Sequence, residues 1–153
     1  MNDTWSTEQA LFNKLNKEFE FVVDLAAQTN NRKVKQYISP EQDFFKASPL
    51  DFKNGWCWLN PPYSRGNISQ FMRQVEHWTT GHGIKIVALV RFDPSASWFK
   101  HYVDGVACEV RMLKHRVKFQ GATSAYNFPC CVAIFDRDEC MSSTVYSLWS
   151  WRE

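Results

Sequence analysis

An α/β layer architecture is the fold class this sequence predicts, on three observations. Apolar residues recur at helical spacing in some stretches and run continuously in others, and the two patterns alternate along the 153 residues. Ile84 to Val90 and Phe128 to Phe135 are near-continuous apolar runs of strand length, as expected of strands covered on both faces. Polar residues stand where the strands end, namely Asp24, Asn60 and Arg91-Phe92-Asp93. In open sheets of this kind ligands bind beyond the carboxyl ends of the strands. The length, with 44% hydrophobic and 22% charged residues, predicts one domain with one core.

The elements follow in chain order. Ser6 or Thr7 is expected to cap a first helix on which Ala10, Leu11, Leu15 and Phe19 share a face. Phe21-Val22-Val23 is a buried strand ending at Asp24, and the polar, basic stretch Gln28 to Lys35 is a loop. Ser39-Pro40-Glu41-Gln42 has the form of a capped helix start with proline at the first helical position, predicting a short second helix that ends by Lys46. Trp56 to Leu59 is a strand. Asn67 is expected to cap a third helix carrying Ile68, Phe71, Met72, Val75 and Trp78, closed by Gly81-His82-Gly83. After the strand Ile84 to Val90, a fourth helix is expected over Pro94 to Tyr102. Val106 to Leu113 and Val117 to Phe119 are β-rich runs expected to pair around Lys114-His115-Arg116, and Phe128 to Phe135 is the last strong strand.

The stretch richest in chemistry is Asn60-Pro61-Pro62-Tyr63, at the end of the strand Trp56 to Leu59. An exocyclic amine conjugated to a ring is a poor nucleophile. It improves when two acceptors hold its hydrogens and its lone pair is left facing a methyl donor. The Asn60 amide oxygen and the Pro61 carbonyl are candidate acceptors. The two prolines fix φ near about −65° and offer no competing backbone N–H. Tyr63 supplies an aromatic face for a planar base taken out of its stack, a contact worth roughly 1–3 kcal/mol. Asn-Pro also opens ordinary turns, so the tetrapeptide alone fits a plain turn equally well.

Other classes of chemistry find less support. Five cysteines include no C-x-x-C pair, and Cys130-Cys131 point to opposite faces of one strand, so reduced cytosolic thiols and no zinc site are expected. The four histidines lack metal-ligand spacing. No apolar signal core opens the sequence and no run approaches the ~20 apolar residues of a membrane helix, which predicts a soluble, intracellular protein without a membrane partner. The aromatic content of 16%, with seven Trp and twelve Phe, is assigned by default to core filling. A formal charge of +2 is only mildly basic, so a nucleic-acid surface has to come from local clusters. Arg32-Lys33-Lys35, Arg65, Arg91 and Lys114-Arg116-Lys118 are such clusters, each residue also readable as solvated surface. The usual glycine-rich first turn of a nucleotide site is absent, and Ala26-Ala27 are the small residues at the corresponding place.

Several short motifs stand in a set order: Trp5-Ser6-Thr7, then Phe21 to Ala27, then Tyr37 with Pro40-Glu41 and Asp43, then Asn60-Pro61-Pro62-Tyr63-Ser64. Val87 to Arg91 follow with Asp93, Ser97 and Trp98, and after them Arg111-Met112-Leu113 and Arg116 to Phe119. Over residues 5–135 this series resembles the phage-type DNA N-6-adenine methyltransferases of the Dam group. The chain departs from that pattern at Glu8 and Val90, where members commonly carry proline.

The resemblance implies a class I S-adenosylmethionine-dependent methyltransferase (Rossmann-like) fold, a mixed sheet flanked by helices. It also implies a single compact domain over 1–153, with the motifs in 5–135 and a tail over 136–153 that either covers the core or mediates self-association. The implied donor is S-adenosylmethionine, with no metal. Trp5, Thr7, Asp24, Ala26 and Asp43 are the implied donor-binding residues. Asp24 would hold the charged amino-acid end or else cap the next turn, and Asp43 would hold the ribose or else sit on the surface. Asn60, Pro61, Pro62 and Tyr63 are the implied catalytic residues, and Ser64, Arg65, Arg91, Lys114 and Arg116 the implied DNA contacts, Arg65 foremost. The expected partner is double-stranded DNA, recognised with short or relaxed sequence preference, in the cytoplasm of a bacterial host if the chain is phage-encoded. The oligomeric state stays open. Two alternatives stand beside this: the same fold acting on RNA or a protein amide, or a silent protein that binds DNA or the donor and interferes with host restriction or methylation.

Overall fold

Six strands form one mixed sheet in the order β1-β2-β3-β5-β4-β6 in the computed structural model, which describes residues 5–64, 66–140 and 143–152. The strands are β1 (Val23–Asp24), β2 (Trp56–Leu59), β3 (Lys85–Arg91), β4 (Glu109–Leu113), β5 (Cys130–Phe135) and β6 (Val145–Trp149). The first three are parallel to one another, β5 runs antiparallel to both β3 and β4, and β6 is parallel to β4. The carboxyl ends of β1, β2, β3 and β4 therefore share one edge of the sheet. β3 and β5 lie at its centre, which is why their sequences are apolar without alternation: Ile86 to Val90 and Cys130 to Phe135 are all buried.

Three helices accompany the sheet: α1 (Gln9–Phe19), α2 (Asn67–His82) and α3 (Ser97–Tyr102). The buried face of α1 is Leu11, Phe12 and Leu15, with Ala10 exposed, so Phe12 replaces Ala10 on the expected face. Phe12 stands edge-on to Trp58 of β2 with ring centroids 5.3 Å apart, which seats the helix on the sheet. α2 buries Ile68, Met72, Val75 and Trp78, and Trp78 holds Phe44 edge-on at 4.7 Å. Trp78 thereby supports the 38–45 segment from below.

Several expectations are corrected. Neither Ser6 nor Thr7 caps α1, whose N-cap position is Glu8 without a side-chain bond, because both hydroxyls are engaged elsewhere. Gly66 rather than Asn67 precedes α2, and the Asn67 amide donates to Ser64 Oγ. The expected second helix does not form. Its capping box is present, with Gln42 N donating to Ser39 Oγ at 3.3 Å and Ser39 N to Gln42 Oε1 at 3.1 Å. Asp43 then turns to φ 63°, which ends the first turn before it can propagate. A 3-10 turn over Pro49–Phe52 follows.

The fourth expected helix is shortened to α3, because 93–96 form a turn closed by Ala96 N to Asp93 O. Val117 to Phe119 bury Val117 and Phe119 in strand fashion, yet no ladder with β4 forms. Lys118 N instead donates to Glu8 Oε2 at 3.0 Å, and Gln120 exchanges both backbone bonds with Ser6. The tail contributes an unforeseen strand, β6, and then Trp151, whose indole Nε1 donates to Glu8 Oε1 at 3.2 Å. β6 thus extends the sheet at the β4 edge, and Trp151 packs against the core.

The cysteines are not all free. Cys108, at the entry to β4, and Cys140, beyond the exit from β5, are joined by a disulfide, because the β4/β5 pairing returns the chain to its own start. Cys57, Cys130 and Cys131 are free and buried, and burial pushes the Cys57 and Cys130 thiols up to about 12. None of the three is suited to act as a thiolate nucleophile. Among the described residues no helix is long and apolar enough to cross a membrane.

Candidate active site

At the shared edge of the sheet, β1 delivers Asp24 and β2 delivers Asn60. Asp24 is 3% exposed. One carboxylate oxygen accepts the Ala26 N–H at 3.2 Å and the other the Lys33 N–H at 3.0 Å. Its own backbone pairs with residues 36–38 through Asp24 N to Gln36 O and Ile38 N to Asp24 O. Asp24 therefore closes the loop 25–33 as a turn cap. It remains an acid under tension, because burial raises its pKa to about 6 against the lowering effect of the two N–H groups.

Asn60 follows the last residue of β2. Its Nδ2 donates to Thr7 Oγ1 at 3.0 Å, while its Oδ1 is buried and has no hydrogen-bond partner among the described residues. The Pro61 carbonyl receives no backbone N–H among the described residues either. Two consecutive residues of this turn thus each carry a carbonyl without such a partner among the described residues. An unsatisfied buried acceptor costs about 1–3 kcal/mol, and such a cost is a mark of a group kept for a ligand.

Trp5, Thr7, Asp24, Ala26, Asn60 and Pro62 line one small polar cavity of about 50 Å³, room for a water or two. Beside it, and sharing Ala26, Asn31 and Pro62 as a wall, lies a larger cleft of about 390 Å³. Leu25, Ile38, Phe44, Phe45 and Phe71 give this cleft apolar walls, and Asp43 adds a carboxylate, one oxygen of which accepts the Phe45 N–H at 2.9 Å. The left-handed turn at Asp43 that stopped the expected helix is what sets this carboxylate beside Phe44 and Phe45. Sequence reading missed the three phenylalanines as cleft residues, although Phe44-Phe45 directly after Asp43 was the available signal.

Tyr63 is placed differently from the expected open stacking face. It is 4% exposed, its hydroxyl donates to Leu89 O of β3 at 2.7 Å, and its ring meets Phe119 and Tyr126 at 5.9 and 5.8 Å. Burial raises the phenol well above its ordinary range, so it stays a donor. Stacking a base on this ring requires Phe119 or Tyr126 to move. Tyr63→Phe leaves the buried Leu89 carbonyl without that donor and is expected to lower folding stability by about 1–2 kcal/mol, measured by urea unfolding.

Among the described basic candidates, Lys33 alone borders either of these two cavities. Arg91 lies 3.9 Å from Asp93, with its guanidinium over the Phe128 ring at 5.1 Å. Lys114 and Arg116 are exposed on the segment after β4, and Ser64 is half-buried. Arg65 lies outside the described residues. Lys33 is half-buried and engaged: its Nζ donates to Gln9 Oε1 at 2.7 Å and Gln120 Oε1 at 2.8 Å. Together with the Ser6–Gln120 pair, it lashes residues 5–9, 33 and 120 across the polar cavity.

Residues 1–150 match the family described as DNA N-6-adenine-methyltransferase (Dam). A protein named DNA N-6-adenine-methyltransferase from Haemophilus phage HP1 is 32% identical over 119 residues, which cover 76% of this chain and 66% of that protein. One of the same name from Escherichia phage T1 is 31% identical over 102 residues, or 65% of this chain and 40% of that protein. The match thus spans less than two thirds of either relative. By the extent of the family match, the chain belongs to the Dam family of DNA N-6-adenine-methyltransferases.

Proposed function

We propose that this chain transfers a methyl group from S-adenosylmethionine to the exocyclic amino nitrogen of adenine in double-stranded DNA, with short or relaxed sequence preference. The observation that carries the proposal is the buried Oδ1 of Asn60, without a hydrogen-bond partner among the described residues, beside the Pro61 carbonyl, which receives no backbone N–H among them. Two acceptors at one corner match the two hydrogens of an amino group. The proposal includes a class I methyltransferase fold and a single domain over 1–153, which the parallel β1-β2-β3 unit with polar groups at its carboxyl ends supports.

The residues present fit the donor. The larger cleft lies within the roughly 300–1,000 Å³ typical of small-molecule sites, and its apolar walls suit an adenine ring, with Asp43 available to ribose hydroxyls. The adjoining polar cavity places a buried carboxylate, Asp24, where a donor ammonium would restore its charge, with Trp5 and Ala26 as neighbours. When bound, S-adenosylmethionine supplies an electrophilic methyl on a sulfonium. Asn60 Oδ1 and the Pro61 carbonyl accept the amine hydrogens and so raise electron density on the nitrogen. Pro62 separates the two cavities and keeps the turn rigid. The small cavity admits no base as it stands, so the ring enters by displacement of Tyr126 or Phe119 and Tyr63 receives it on the face they vacate, while residues 5–9, 33 and 120 stay lashed. Arg91, Lys114, Arg116, Ser64 and Arg65 serve the phosphate backbone.

The test is incubation of the purified protein with unmethylated double-stranded DNA and S-adenosylmethionine, followed by digestion and mass spectrometry of the nucleosides. N-6-methyladenine is the expected product. Transfer to RNA or to a protein amide but not to DNA would replace the substrate, and donor binding without transfer to any of them would leave only a binding role.

A further inference from the structure

We infer that Thr7 is a positioning residue for methyl transfer: its hydroxyl holds the Asn60 amide in the orientation that leaves Oδ1 facing the substrate amine. The inference rests on the role proposed above for Asn60 and adds what sets that side chain's direction. A side-chain amide is planar and two-ended, with an acceptor at one end and two donors at the other. Turned the wrong way, it would oppose N–H to N–H and repel the amine it has to hold.

In this chain one end is engaged. Asn60 Nδ2 donates to Thr7 Oγ1 at 3.0 Å, across 53 residues of sequence. Thr7 is 2% exposed, so the contact is shielded from bulk solvent. The complement appears at the other end of the same amide, where Oδ1 is buried and partnerless among the described residues.

Thr7 is itself held on both sides. Ser6 exchanges backbone bonds of 3.2 and 2.8 Å with Gln120, and its hydroxyl donates to Asn31 O at 3.2 Å. On the other side Glu8 O accepts Phe12 N at 3.1 Å, which fixes the start of α1. With its backbone anchored on both sides, the Thr7 hydroxyl gives the Asn60 amide a partner at a fixed place. Thr7 therefore acts through Asn60, a role distinct from the donor contact that the family resemblance implied.

The test compares Thr7→Val, which keeps the shape and removes the acceptor, with Thr7→Ser, Thr7→Ala, Asn60→Ala and the Thr7→Val/Asn60→Ala double variant. Turnover on DNA, S-adenosylmethionine affinity by calorimetry and the thermal midpoint are measured for each. Thr7→Val is expected to lower kcat about 10- to 100-fold and leave donor affinity within about twofold, with Thr7→Ser restoring most of the rate. In the thermal midpoint, Thr7→Val is expected to be destabilising in the native background and much less so beside Asn60→Ala, since the lost contact is Asn60's own. Thr7→Ala lacks the same acceptor and carries the comparison should the valine variant fail to fold. Full kcat in Thr7→Val beside an inactive Asn60→Ala overturns the inference and leaves Asn60 in its role. A fall in donor affinity that accounts for the loss of rate overturns it too, making Thr7 a donor contact. An active Asn60→Ala removes the role of Asn60 on which it rests.

Discussion

Asn60→Ala is expected to lower methyl transfer about 100- to 1,000-fold, the range found when one preorganised hydrogen-bonding group is taken from a reaction centre. Donor affinity is expected to fall far less than the rate, because the larger cleft is lined by other residues and Asn60 borders only the small polar cavity. The fold is expected to tolerate the change well. Asn60 Oδ1 has no partner to lose among the described residues, and its Nδ2 has only the Thr7 hydroxyl. A substitution that removes an unpaired buried oxygen relieves a cost as well as deleting a contact. Calorimetry with S-adenosylmethionine, a thermal melt and single-turnover transfer on DNA separate these effects. A large fall in stability would make Asn60 a structural residue instead, and a fall in donor affinity that accounts for the loss of rate would make it a donor contact.

The second large effect is in the pH dependence of donor binding. Asp24 loses its proton near pH 3.8 in the unfolded chain and near 6 in the folded one, because burial disfavours the charge. Between those values the unfolded chain binds fewer protons, so this group's contribution to stability falls as pH rises from about 4 to 6 and is flat above. A donor ammonium acts in the opposite sense, since it favours the carboxylate. Donor affinity is therefore expected to rise with pH between 5 and 6, by up to about tenfold per unit, and to level off by pH 7. Asp24→Asn is expected to bind the donor about 10- to 100-fold more weakly at pH 7, the loss of one charge-assisted hydrogen bond, and without that slope. The nearby cation Lys33 is common to both proteins, so the difference between the two profiles isolates Asp24. Parallel profiles would remove Asp24 from the donor site.

Much of the sheet was legible because its strands are short apolar runs with polar ends. Asp24, Asn60 and Arg91 could be placed at strand termini from the chain alone, and two of them meet at one cavity. The second helix was misjudged although its capping box forms, because a cap lowers the cost of starting a helix and says nothing about whether Asp43 will continue it. β6 escaped notice because Val145, Tyr146 and Leu148 are exposed and give no alternating pattern. The Thr7–Asn60 contact was invisible for another reason. Both residues could be singled out, but a hydrogen bond between positions so far apart depends on the bridge from Ser6 to Gln120, which no local preference encodes. Tyr63 was read as an open face because its anchor is a backbone carbonyl, and sequence does not show which carbonyls lack a second donor. The link between Cys108 and Cys140 likewise follows from strand pairing rather than spacing.

That anchor on Leu89 has a further consequence. Leu89 lies in β3, paired with Val132 of β5 in the middle of the sheet, and every residue around it is buried. The reactive turn is thus fastened at its far end to the part of the molecule that opens last, if at all, short of complete unfolding. Flexibility needed to admit a base has to be found in the segments around the turn. The reaction centre stands still while its surroundings breathe.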